Sequence, residues 1–287
     1  MPGLKLIGAV AVAVLSGSAA QAFDEAKYPD LKGQWTRFVV PGVGGMPSFD
    51  QTKPWGFGQE APLTAEYKAV LEASIADQAN GGQGNFTGYA CGAFGMPLMM
   101  EAFYPQEYTV TPQTTYILIN NADHARRIFT DGRDWPKNIE NLEPTYQGYS
   151  IGRWIDEDGD GSHAMLEVET RGPFKGPRSY DGSGLPLHHD NHSIFKERIH
   201  LDRNDPNLLH DEFTVIDHAL TRPWTVDKRY RRSPDPQPLW PEYVCAEHNV
   251  HVQVGAESYY ISADGFLMPT RKDQLPPDAR YFKRPEK

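Results

Sequence analysis

Two cysteines, Cys91 and Cys245, are all that occur in 287 residues. They form no Cys-x-x-Cys pair, so a dithiol redox centre has nothing to stand on. No apolar run after the N-terminal stretch approaches the roughly 18 residues that a membrane-spanning helix needs, so no transmembrane segment is expected. Positive charge is also short: 28 Lys and Arg stand against 38 Asp and Glu, a formal net charge of −10. No basic stripe is available for phosphates, which argues against nucleic acid as a partner. The one basic run, Lys228-Arg229-Tyr230-Arg231-Arg232, would be split over two faces of a strand. A G-x-S-x-G elbow, a P-loop and a dinucleotide fingerprint are missing too. Serine hydrolase, NTPase and Rossmann oxidoreductase therefore drop out, and no nucleotide cofactor is expected.

What is present begins with an export pattern. Met1 to Lys5 carries a positive charge, Leu6 to Leu15 is apolar, and Ala20-Gln21-Ala22 has small residues in the cleavage positions. Residues 1–22 read as a secretory signal peptide, which places residues 23–287 in a periplasm or outside the cell. In such a compartment an even cysteine count suggests a Cys91–Cys245 disulfide closing a loop of roughly 150 residues.

The body of the chain reads as strands. Residues 193–201, 209–217 and 224–230 alternate with period two, as half-buried antiparallel strands do. Shorter runs at 107–111, 115–120, 126–130, 149–154 and 165–170 continue the pattern, with turn chemistry between them. One helix is predicted near 64–80, capped by Thr64, with Leu63, Tyr67, Val70, Leu71 and Ile75 as its apolar stripe. Gly/Pro-rich loops flank it. The expected fold is all-β: one domain forming an antiparallel, lipocalin-like barrel or a strongly curved meander sheet, closed so that no long edge stays open.

One feature of the alternation is unusual. If Phe195, Ile199, Phe213 and Val215 face inward, Glu197 and Asp211 do so as well. Pairing Leu201 with Leu209 sets Ile199 opposite Asp211 and Glu197 opposite Phe213, which makes the two carboxylates diagonal neighbours. Burial and mutual repulsion raise a carboxyl pKa, so the pair reads as an acid/base couple. The other reading is structural, with each carboxylate bonded to an inward Arg, Tyr or Lys228. Trp224, Phe195, Phe213 and Tyr230 would line the same interior as ligand contacts. Six of the ten histidines fall between 188 and 218. His188, His218, Asp217 and Arg222 gather near one barrel mouth as further catalytic candidates.

Residues 156–167 (DEDGDGSHAMLE) fit D-x-[DN]-x-[DN]-G-x5-E at every position. Asp156, Asp158, Asp160, Ser162 and Glu167 are spaced as calcium ligands, and Gly161 permits the turn. The loop resembles that of EF-hand proteins, but its flanks read as strands. It is a structural calcium site, an acidic hairpin turn or a catalytic metal site.

Two resemblances add to this. Gly33-Gln34-Trp35 is similar to the opening strand of lipocalins, where the Trp packs under the barrel floor. The runs GRDWP (132–136), EPTYQGYSIGRW (143–154) and HDEFTVIDHALTRPWTV (210–226) resemble a family of exported bacterial proteins to which no activity is attached. Two functions fit the residues. One is an exported acid/base enzyme (a lyase, isomerase or hydrolase) on a small apolar or aromatic compound. The other is a non-catalytic carrier using the same cavity.

Overall fold

The computed structural model describes residues 23–37, 61–80, 95–101, 105–120, 125–175, 178–180, 185–187, 192–240, 251–254, 257–261 and 266–275. Nine strands form a closed ring: β1 (Gln34–Arg37), β2 (Gln106–Val110), β3 (Thr114–Ile119), β4 (Arg126–Phe129), β5 (Tyr149–Ile155), β6 (Met165–Arg171), β9 (Ile194–Leu201), β10 (Leu208–Ile216) and β11 (Trp224–Arg232). The last pairs back onto the first, Trp35 opposite Arg232. A small hairpin, β7 (Arg178–Tyr180) and β8 (Leu185–Leu187), is inserted between β6 and β9. A separate three-stranded sheet follows, made of β12 (His251–Val254), β13 (Glu257–Ile261) and β14 (Leu267–Pro269). The protein is thus an all-β barrel, and one helix, α1 (Ala65–Ala79), accompanies it among the described residues.

A ring with an odd number of strands cannot be antiparallel at every junction. The exception is β4–β5, where Ile128 and Phe129 lie beside Ser150 and Ile151 in parallel. Parallel neighbours need a crossover in place of a tight turn, and residues 130–148 supply it. The crossover ends at Gly148, whose φ of +69° is left-handed. A Cβ there would also lie 2.7 Å from the Arg171 carbonyl oxygen and against the Phe174 ring. Glycine is the residue that meets both demands.

Elsewhere the alternation is realised as read. Leu209 pairs with Leu201, Asp211 with Ile199 and Phe213 with Glu197. Down β10 the odd-numbered positions from Leu209 to Val215 are buried. Across β11 the matching inward set is Trp224, Val226, Lys228 and Tyr230. Phe195 and Phe213 pack 5.7 Å apart between ring centroids, and Phe174 meets Phe195 at 5.5 Å. Burying each such ring contributes about 1.5–3 kcal/mol. Met96, Met99 and Met100 add fully buried side chains, and the Tyr230 hydroxyl donates to the Met100 carbonyl. Trp35 is fully buried, its indole N–H donating to the Leu31 carbonyl at 2.9 Å.

The barrel has two distinct ends. At the lower end lie the segment 23–33 and the turns 111–113, 156–164 and 202–207. At the upper end lie Ser193, the β10–β11 connection and α1. Thr64 caps the helix by accepting the Tyr67 amide at 3.4 Å. Its own amide donates to Ala219, and the Thr221 amide donates to Pro62. With the Leu63–Leu220 bridge, these bonds fasten the start of α1 over the β10–β11 connection.

Candidate functional site

Glu197 and Asp211 both point into the barrel, at 2 % and 0 % exposure. Their surroundings differ sharply. Glu197 takes a two-pronged bond from Arg126 on β4, with Nη1 to Oε1 at 2.7 Å and Nη2 to Oε2. The same guanidinium reaches Thr170 Oγ1 at 3.0 Å, and Thr170 bonds Ser150 at 2.8 Å. Burial works against the Arg126 cation, but Glu197 outweighs it and the guanidinium pKa is raised. A fork-to-carboxylate pair of this kind is strong and directional, so Glu197 is tied down.

Asp211 has no such clamp. Neither of its carboxylate oxygens has a hydrogen-bond partner among the described residues. It faces Lys228 across the β10–β11 ladder. Burial above all, and then the Glu197 carboxylate, push its pKa well above the usual carboxylate range, against the pull of Lys228 and Arg126. The Tyr108 hydroxyl is raised too, by burial first and then by Asp211 and Glu197. It accepts a bond from Gln106 at 3.2 Å. The expected pair is therefore an unequal one: a Glu197 ion-paired with Arg126 beside an Asp211 that resists ionisation.

A different constellation forms at the upper mouth. β10 ends at Ile216, so Asp217 and His218 lie beyond the strand and escape its alternation. Adjacent residues on a strand would point apart; these two do not. The Asp217 side chain is fully buried. It accepts the Ser193 hydroxyl and, at 2.8 Å, the Ala219 amide. Its Oδ1 lies 3.6 Å from His218 Nδ1, an ion-pair distance slightly beyond a hydrogen bond. His218 Nε2 in turn is 3.1 Å from the Tyr67 hydroxyl on α1, and the rings meet edge-on at 5.6 Å. With 43 % of its side chain exposed, His218 opens to solvent while Asp217 stays behind it. Asp217, His218 and Tyr67 thus run in series from a buried carboxylate through an exposed imidazole to a phenol ring that is itself 8 % exposed.

The remaining candidates separate. Trp224, Phe195, Phe213 and Tyr230 all line the interior and are buried. Arg222 is exposed and donates to the carbonyl of its neighbour Pro223 at 3.3 Å. His188, Cys91, Cys245 and residues 1–22 lie outside the described residues. The two levels are also well apart. Five strand residues, Glu212 to Ile216, separate Asp211 from Asp217, a rise of roughly 17 Å to Ile216 alone at 3.3 Å per residue. Interior carboxylates and mouth residues therefore do not make one site.

The loop 156–167 closes around Asp156. Its carboxylate accepts the amides of Gly159 at 2.7 Å, Asp160 at 3.2 Å and Gly161 at 2.8 Å. Those bonds, Gly161's foremost, hold the Asp156 pKa below its usual value. The Ser162 amide donates to Asp160 Oδ1, and Glu167 faces Arg153 at 3.5 Å on the outer wall. Gly159 and Gly161 adopt φ of +70° and +88°. The described residues bring no three of His, Cys, Asp or Glu into a group that could hold a metal ion. As arranged, Asp156 and Asp160 accept amides of the loop's own backbone.

Sequence reasoning passed over Tyr67, Ser193 and Arg126. Tyr67 sat in the apolar stripe of a helix, and nothing local pairs it with a histidine 151 residues later. Arg126 carried a weak signal, since alternation puts it on the face it shares with Ile128. Compared with models of protein families and with curated proteins, the chain matches none. The chemistry of the mouth and the interior is what a functional reading has to rest on.

Proposed function

We propose that the protein is an exported acid–base enzyme acting on a small apolar or aromatic compound at the upper mouth of the barrel. One observation carries the reading: a fully buried Asp217 stands behind a half-exposed His218 whose Nε2 is 3.1 Å from the Tyr67 hydroxyl. A reactive oxygen, a base in hydrogen-bond reach and a carboxylate that orients the base are the parts of a general-base site. The Tyr67 oxygen removes a proton from the substrate while its own proton passes to His218 Nε2. Asp217, held by Ser193 and the Ala219 amide, stabilises the imidazolium that results. Reversal returns the proton to another atom of the substrate, which is an isomerisation, or to a leaving group, which is an elimination. The apolar side chains of Leu63 and Leu220, bridged at the start of α1, suit an apolar or aromatic body. Export is supported by the signal-peptide pattern of residues 1–22. Glu197 and Asp211 have no part in the chemistry, because one is clamped by Arg126 and the other lies too deep.

5-Nitrobenzisoxazole tests this without knowledge of the natural substrate. A base takes its C3 proton, the N–O bond breaks, and a coloured cyanophenolate forms with no other reactant. The wild-type protein should catalyse the elimination. Tyr67→Phe, His218→Gln and Asp217→Asn should each lower the rate about 100-fold, while Asp211→Asn leaves it unchanged. Equal rates in the wild-type and His218→Gln proteins, or no rate above buffer, overturn the proposal. A carrier is the second reading, favoured by the four aromatic side chains that face the interior. It expects a co-purified compound to leave the unfolded protein chemically unaltered, which mass spectrometry would show.

A further inference from the structure

The outer wall of the barrel carries a second candidate site, unconnected with the mouth. A groove of about 510 Å³ runs over β5, β6, β9, β10 and β11, with Trp135 from the β4–β5 crossover at one side. That volume lies within the range of small-molecule sites. Its floor is a cross-strand row in which Arg153, Glu167, Arg198 and Glu212 stand side by side. Their signs alternate. Arg153 meets Glu167 at 3.5 Å and Arg198 meets Glu212 at 3.0 Å. In the next row Lys196 lies 3.6 Å from Glu169.

Two features decide what such a floor would take. First, these three positive and three negative groups cancel, so neither an anion nor a cation is drawn in. Each nevertheless keeps unused hydrogen-bond capacity, since a guanidinium has five donors and a carboxylate about four lone-pair sites. A neutral ligand whose groups both donate and accept uses both kinds. Second, Trp135 is half-buried, with the Arg171 guanidinium 4.4 Å from its ring and Tyr149 at 6.1 Å. An indole fixed in this way offers an apolar surface beside polar neighbours. Pyranose chairs, with an apolar C–H face and hydroxyls around the edge, match that combination. We infer that this groove binds a neutral oligosaccharide, with the ring of Trp135 against a sugar face and the paired charges of Arg198, Glu212 and Lys196 on its hydroxyls.

Isothermal titration with cellohexaose and with maltohexaose, at low and high salt, tests the assignment. At least one should bind saturably, with an affinity that salt scarcely changes, because no counterions are released by a neutral ligand. Trp135→Ala should weaken binding by about two- to tenfold, the range expected for a stacked aromatic. Because Trp135 also packs on Arg171 and Tyr149, Arg198→Ala provides a second variant on the other side of the groove, and it should weaken binding as well. His218→Gln should bind as the wild type does. Failure of both hexaoses to bind overturns the inference, as does unchanged affinity in both groove variants. Preference for hexagalacturonate with a steep salt dependence would also overturn it, since the groove would then be an anion site.

Discussion

Replacing a carboxylate by its amide should have opposite effects at the two inward acids. Asp211 has two buried oxygens without hydrogen-bond partners and a pKa raised by burial and by Glu197. A group whose folded-state pKa is raised contributes its full stability below the unfolded value, about 4 for Asp. That contribution is lost as pH rises through the folded value. At neutral pH, Asp211 is therefore a liability, and Asp211→Asn should stabilise the protein. Asn keeps a polar group in place but cannot ionise, so the gain is about 1.4 kcal/mol for each unit by which pH exceeds the unfolded value, up to the folded one, and each kcal/mol corresponds to roughly 2–4 °C in a domain of this size. Glu197 is the reverse case. Glu197→Gln leaves the Arg126 cation buried without its charge partner, a loss of about 3–5 kcal/mol. Urea unfolding of the wild type and both variants at several pH values between about 4 and 8 provides the assay. The advantage of Asp211→Asn should shrink toward zero at the acid end and grow with pH. Destabilisation by Asp211→Asn at pH 8 would mean that Asp211 is ionised and paired with Lys228, and an advantage independent of pH would mean that its pKa is not raised; either result refutes the reasoning.

Three further outcomes follow from the packing. Gly148→Ala should lose about 1–3 kcal/mol in thermal unfolding, because φ is +69° and the new Cβ meets the Arg171 carbonyl. Phe213→Ala should cost about 3–5 kcal/mol, since the ring is fully buried against Phe195 and lies 3.8 Å from Lys228 Nζ. Asp156→Ala should lower the melting temperature by removing the acceptor of three backbone amides. Adding millimolar calcium to the wild type distinguishes the loop's two roles: a raised melting temperature that Asp156→Ala abolishes shows ion binding, and an unchanged one leaves only the turn.

Period-two alternation of apolar side chains is a local property, and it was enough to give the strands, their inward faces and the β9–β10 register that puts Glu197 opposite Phe213. One face of each strand must leave water, so the pattern is written residue by residue. The inward direction of Asp211 and Lys228 was legible for the same reason. Partnership was not. Arg126 and Glu197 are 71 residues apart, and several other inward groups were equally eligible until ring closure brought β4 and β9 onto one interior. Had β10 continued through them, Asp217 and His218 would point to opposite faces. The strand's end at Ile216 frees them, and α1 fastened over the same connection delivers Tyr67. The parallel β4–β5 junction likewise follows from the number of strands in the ring, a quantity no single segment carries. Local chemistry told which side chains would be hidden; closure of the barrel chose which hidden or half-hidden groups would meet.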